Sequence, residues 1–161
     1  MKHRIVDSPL GPLTLVVTDE GALAALSMKG QRHGPGPDAD LGEREDAIAE
    51  AAVAQLAEYF DGTRTGFDLR LDPVGTDFQR QVWEALRAIP YGATETYGHL
   101  AERIGHPRGT RAVGAATGRN PIGIIVPCHR LVGASGDLTG YAGGLERKRW
   151  LLDLEAGGVL V

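Results

Sequence analysis

The chain opens with short aliphatic runs. Arg4–Asp7, Leu13–Thr18 and Leu23–Met28 are cut apart by Ser8-Pro9-Leu10-Gly11-Pro12 and by Asp19-Glu20-Gly21. Turn residues at that spacing predict a small antiparallel sheet. From Lys29 to Gly42, glycine, proline and charge displace apolar residues, which predicts a mobile loop. The period then changes. Ile48, Ala52, Val53, Leu56 and Phe60 recur at three- and four-residue steps, predicting a helix from Glu45 to Phe60 that Gly62 stops. After an extended piece at Phe67–Leu71, Asp72-Pro73-Val74-Gly75 reads as a joint between two halves, 1–72 and 75–161.

The second half is mostly helical. Thr76 is placed as an N-cap, and Phe78, Val82, Trp83, Leu86 and Ile89 follow at helical spacing until Pro90-Tyr91-Gly92. A short helix over Tyr97–Ile104, a break at Gly105-His106-Pro107 and a second helix from Gly109 to Gly118 have the form of a helix-turn-helix. On this pattern alone an ordinary helical hairpin fits equally well. The second helix, Arg111-Ala112-Val113-Gly114-Ala115-Ala116-Thr117, is bare for a major-groove reader. Its small side chains suit close approach to DNA in a narrow groove with little sequence readout. Ile122–Val126 predicts a buried extended segment that ends at Pro127, and Leu145–Glu155 a closing helix. The fold class expected is α/β in the α+β sense.

With 161 residues and 42% hydrophobic residues, the chain has enough apolar material for a core in one domain or two small ones. No apolar run approaches the roughly 18 residues of a membrane helix, and the N-terminus lacks the apolar stretch of a signal peptide. A cytoplasmic protein without a membrane partner is expected. A single cysteine excludes an internal disulfide and a multi-cysteine zinc site, and the five histidines are scattered, so no metal is expected. The net charge of −4 argues against nucleic acid until its distribution is read. Residues 1–75 carry 7 basic and 13 acidic side chains; residues 76–161 carry 10 and 8. Between 97 and 130 stand Arg103, Arg108, Arg111, Arg119 and Arg130 against Glu102 alone, a stripe able to meet phosphates.

The chemistry centres on Cys128. A lone cysteine is commonly an inert buried hydrophobe, but His129 and Arg130 follow this one at the start of a polar loop. Basic and cationic neighbours favour the reactive thiolate. Side chains of adjacent residues diverge, so a bridging water is the natural link between Cys128 and His129. A carboxylate is then needed to orient the imidazole, and Glu155 is the candidate.

Pro127-Cys128-His129-Arg130, with Asn120-Pro121 before it and Gly140-Tyr141-Ala142-Gly143-Gly144 after it, closely resembles the O6-alkylguanine-DNA alkyltransferases. These are also called methylated-DNA–protein-cysteine methyltransferases. The likeness continues through Gly75-Thr76-Asp77-Phe78-Gln79, Ile89-Pro90-Tyr91-Gly92, Tyr97-Gly98 and Arg111-Ala112-Val113-Gly114. In the first half only Ser8-Pro9-Leu10-Gly11-Pro12-Leu13 matches.

The resemblance implies a ribonuclease H-like first domain with no activity of its own, of the bacterial metal-free type. It implies a DNA-binding second domain that flips O6-alkylguanine, and secondarily O4-alkylthymine, out of duplex DNA. Cys128 would accept the alkyl group once and irreversibly, without a cofactor. His129 would draw off the thiol proton through water, polarised by Glu155, while Asn120 stiffens the segment before the cysteine. Tyr97 would push on a phosphate and donate to the guanine, and Arg111 would fill the gap in the stack, with Gly114 on the same helix. Tyr141 and the backbone of Ala142 would line the base pocket. The carbonyls of Cys128 and Leu131 would read the exocyclic amine, and Gly98 and His106 would meet phosphates. The protein is expected to act as a monomer, with cooperativity on DNA left open. Gly123 replaces a bulkier pocket residue of other members, which is expected to alter the alkyl size that fits. A lesion sensor without transfer, a cysteine hydrolase and a transcription factor are the competing classes. A stoichiometric product on Cys128 separates them from the first reading.

Overall fold

The computed structural model describes residues 1–36 and 38–157. Pro37, in the predicted loop, and residues 158–161, at the end of the predicted second half, lie outside the described residues. Three strands form where the aliphatic runs predict them, the first starting two residues earlier than expected: β1 (Lys2–Val6), β2 (Leu13–Val17) and β3 (Leu23–Met28). They pair antiparallel in sequence order, because the intervening turns are short. A two-residue strand β4 (Glu43–Arg44) adds parallel to the outer side of β1, giving the order β3-β2-β1-β4.

That fourth strand explains a correction. The helix expected from Glu45 begins at Glu50 instead: α1 spans Glu50–Phe60. The free edge of β1 captures the chain first, with the Glu45 amide donating to the His3 carbonyl at 2.9 Å. Ala49, in the left-handed region at φ 57°, then turns it into the helix without a side-chain cap. The inward face of α1 is Ala52, Leu56 and Tyr59, so Ile48 precedes the helix rather than lining it.

The second element run follows the sequence closely. α2 (Asp77–Arg87) carries a full capping box: Thr76 accepts from the Gln79 amide, and the Gln79 side chain accepts from the Thr76 amide. Val82, Trp83 and Leu86 bury one face. A short strand β5 (Glu95–Thr96) leads into α3 (Tyr97–Arg103), capped by the Thr96 hydroxyl, and α4 (Thr110–Gly118) follows. Buried Trp83 donates its indole N–H to the Ala116 carbonyl at 2.8 Å, tying α4 to α2. A single 3-10 turn over Cys128–Arg130 runs into β6 (Leu131–Val132), which pairs with β5, and α5 (Leu145–Glu155) closes the described chain. Among the described residues no helix is long and apolar enough to cross a membrane.

The two halves share one core. Leu13, Leu15 and Leu26 of the sheet, Leu56 of α1, Leu86 of α2 and Leu151 of α5 belong to a single buried cluster. Backbone also crosses between them, since the Leu26 amide donates to the Pro121 carbonyl and Gly123 donates to that of Leu26.

Candidate active site

The Ile122–Val126 segment is buried as expected, but it is a knot of turns rather than extended. Only Ile122 pairs like a strand residue, bridging to Leu26. The Val126 amide folds back to the Ile122 carbonyl at 3.0 Å, and Ile124 sits at φ 69°. Asn120 holds the knot from inside. Its amide nitrogen donates to the Val126 carbonyl at 2.9 Å and its oxygen accepts from the Ile122 amide at 3.0 Å. Buried backbone groups that cannot join a helix or sheet need such partners. The knot delivers Pro127 and Cys128 to the edge of the core, where Cys128 is 6% exposed.

A cavity of about 360 Å³ opens onto Cys128. One wall is α4, through Gly114, Ala115, Thr117 and Gly118; Tyr97 and the Gly140–Ala142 loop form others. Gly143 lets that loop close, because a Cβ there would meet Met28 Sδ and the Tyr141 ring at 2.8 Å. Arg32 and His33 complete the cavity from the first half. The expected mobile loop is therefore tied down at this point: the Arg32 amide donates to the Ala142 carbonyl at 2.7 Å.

Behind the cysteine lies a buried charged network. Glu155 Oε2 accepts from His129 Nε2 at 2.7 Å and from the Tyr59 hydroxyl at 2.6 Å. Arg130 forks onto both carboxylate oxygens at 2.7 and 3.0 Å, and its other arm donates to the Ile89 carbonyl at 2.6 Å. Four donors on one carboxylate outweigh its burial, and its pKa falls to about 2. Burial pushes the His129 pKa below its usual value, with Glu155 opposing. The ring is then neutral at pH 7. With the Nε2 proton assigned to the Glu155 bond, Nδ1 is left as a buried acceptor without a partner among the described residues.

The depth of Cys128 works against the thiolate that basic neighbours favour. Burial raises the thiol pKa, and the Asn120 amide and Lys148 charge only oppose this. Cys128 therefore rests as a thiol. Lys148, which the sequence reading passed over, is wholly buried and donates to the Thr139 carbonyl at 2.7 Å. Burial lowers its pKa to about 8, with Cys128 opposing. Its place on the inward face of α5, beside the active-site loop, is a tertiary fact with no local sequence signal. Tyr59 was equally invisible, since nothing near it in sequence hints at a partner at position 155.

The remaining predicted residues divide. Tyr97, Gly114, Tyr141 and Ala142 line the cavity with Cys128. Burial raises the Tyr97 hydroxyl pKa, and the hydroxyl donates weakly to the Gly140 carbonyl at 3.5 Å. Leu131 lies in β6 opposite Glu95, outside the cavity lining. Arg111 is exposed in the first turn of α4, His106 is exposed with its ring edge on Phe78, and Gly98 sits in α3. Gly123 does not border the cavity; a Cβ there would face the Leu26 carbonyl and Met28, so it does not set the room for an alkyl group.

Comparison with known proteins agrees with this geometry. Residues 1–73 match the ribonuclease-like domain of 6-O-methylguanine DNA methyltransferase, and residues 77–157 match its DNA-binding domain. A methylated-DNA–protein-cysteine methyltransferase of Methanosarcina acetivorans is 50% identical, covering 96% of this chain and 98% of that protein. One from Mycolicibacterium paratuberculosis is 53% identical, covering 96% and 92%. Among solved structures, Mycobacterium tuberculosis OGT in complex with DNA matches at a TM-score of 0.91 with 49% identity, over 99% of this chain and 95% of that one.

Proposed function

The chain belongs to the 6-O-methylguanine DNA methyltransferase family, and on that premise we propose that Cys128 removes alkyl groups from O6-alkylguanine in double-stranded DNA. The protein is a methylated-DNA–protein-cysteine methyltransferase acting in DNA repair, and each molecule acts once. The observation that carries the residue assignment is the pairing of a buried thiol on the cavity wall with a neutral, oriented histidine beside it in sequence.

Transfer begins with the lesion base flipped into the cavity, at a cost of a few kcal/mol. Arg111 fills the vacated stack, and Gly98, His106 and the start of α4 meet phosphates. His129 Nδ1 draws the thiol proton through one water, and Glu155 stabilises the imidazolium that forms. Sulfur attacks the alkyl carbon in line: the S–C bond forms, the C–O6 bond breaks, and the electron pair stays on guanine. Tyr97 donates to the departing base, which takes up the proton. The products are a thioether on Cys128 and unmodified guanine. Because a thioether is a poor leaving group, the protein is spent. No cofactor takes part. Tyr141, the Ala142 backbone and the carbonyls of Cys128 and Leu131 orient the base, and O4-alkylthymine is a secondary substrate. The protein acts as a monomer.

Intact mass after mixing with an oligonucleotide bearing one O6-methylguanine tests this. A gain of one methyl on the Cys128 peptide, with guanine restored, is expected. Tight binding without a mass change would overturn the reading in favour of a lesion sensor. Cys128→Ala is expected to bind the lesion duplex and transfer nothing. Arg111→Ala should slow reaction with the duplex lesion more than with the free base.

A further inference from the structure

The first half of the chain also reaches the substrate cavity. Arg32 and His33, in the loop after β3, line it together with α4 and Arg119 at the end of that helix. Their backbone is anchored. The Arg32 amide is held by the Ala142 carbonyl, and Arg147 donates to the Lys29 carbonyl at 2.9 Å and to that of Gly143 at 3.3 Å. His33, at φ 57°, lies in the left-handed region that turns the strap along the cavity mouth.

The fourteen arginines differ in how their guanidinium groups are held: Arg80 and Arg147 donate to backbone carbonyls, while Arg70 and Arg149, away from the cavity, make no hydrogen bond or ion pair among the described residues. Arg4, Arg44, Arg64, Arg87, Arg103 and Arg130 are each held by a carboxylate. Arg32 and Arg119, at the cavity, and Arg108 and Arg111, at the start of α4, have guanidinium groups without a hydrogen bond or ion pair among the described residues. The planar fork of a guanidinium matches phosphate geometry, which makes arginine the favoured side chain for phosphate recognition. Arg32 is exposed, and the hydrogen bond from its amide to the Ala142 carbonyl fixes the point from which its side chain leaves the backbone.

We propose that Arg32 binds a backbone phosphate of the DNA strand that enters the cavity, so that the first half contributes a grip on the flipped nucleotide. The strand is then held by α4 and Arg119 of the second half and by the Arg32–His33 strap of the first. The first domain becomes part of the DNA-binding surface rather than only a support for the second. This rests on the proposed function in one respect, that a DNA strand enters this cavity.

The test compares wild type with Arg32→Ala and Arg32→Lys on a duplex carrying one O6-methylguanine, and separately on the free modified base. Ala keeps the amide that Ala142 holds, so the strap retains its anchor; unchanged melting temperature checks this. Losing one phosphate contact should lower the slope of log affinity against log salt by about 0.9. Between 50 and 200 mM salt, wild-type affinity for the duplex should therefore fall roughly threefold more than that of Arg32→Ala. Arg32→Lys should keep the wild-type slope, and the loss in Arg32→Ala should be greater on duplex than on free base. An unchanged salt slope in Arg32→Ala would overturn the proposal, as would equal losses on duplex and free base. If wild type fails to transfer methyl at all, the proposed function falls first; if it transfers normally and Arg32→Ala matches it at every salt, only this inference falls.

Discussion

The two nitrogens of His129 face regions of opposite character. Around Nε2 every polar group has a partner: Glu155 accepts from Tyr59, His129 and Arg130, and Arg130 also reaches the Ile89 carbonyl. Nδ1, by contrast, has no partner among the described residues, and the same holds for the Thr117 hydroxyl and the Tyr141 hydroxyl on the cavity. Buried polar groups are nearly always satisfied in folded proteins. One region is finished by folding; in the other, the Thr117 and Tyr141 hydroxyls, on residues that line the cavity, are left for what enters it. Substitutions in the first should therefore harm stability and transfer together, and substitutions in the second should spare the fold.

The sharpest break is Glu155→Gln. Removing the charge strands a buried Arg130 and unlocks His129, at roughly 3–5 kcal/mol for a broken buried pair. A melting temperature lowered by about 10 °C, with transfer nearly lost, is expected; normal stability would refute the saturated reading. The same group fixes the acid limit. Because the folded carboxyl titrates near 2, below its ordinary value of 4.5, its stabilisation is complete above pH 4.5 and drains away as pH falls towards 2. Chemical denaturation across that window should show a decline that Glu155→Gln lacks.

Asn120→Ala should come next. Two buried backbone groups, the Val126 carbonyl and the Ile122 amide, lose their partner, for about 2–3 kcal/mol. Loosening the knot should also slow transfer, because Cys128 loses its fixed position. Lys148→Met probes the boundary between the regions. It removes the positive charge that opposes the raised Cys128 pKa, and slower transfer at pH 7 is expected because less of the thiol is ionised. Wild-type Lys148 itself gives up its proton near pH 8, so the two rate profiles should converge above that pH. Parallel profiles would show that the ammonium acts only by holding the Thr139 and Gly140 carbonyls. The smallest effect belongs to Thr117→Val, which deletes a hydroxyl without a partner among the described residues. Stability should change by no more than about 0.5 kcal/mol; a loss near 2 kcal/mol would mean that the hydroxyl is bonded within the fold.

Local patterns sufficed where the driving force is local. The aliphatic runs and turn residues of 1–28, the Thr76 N-cap and the apolar spacing of α2 and α3 read directly into elements. Cys128, His129 and Glu155 were legible because a motif marked the first two and a helical tail offered the carboxylate. The start of α1 was not legible, because pairing of residues 43–45 with the edge of β1 decides it. Nor was the shape of 120–127, since its turns depend on Asn120 folding inward and on Leu26 from the sheet. What the amino-acid order determined by itself is most of the strands and helices and the candidate reacting groups, through propensity, capping and chemistry. Only tertiary packing decided that Tyr59 would complete the Glu155 network, that Lys148 would be buried with a lowered pKa, and that Arg32 would reach the cavity of Cys128. Those outcomes depend on burial and on distances between residues far apart in sequence, and neither quantity exists until the chain has folded.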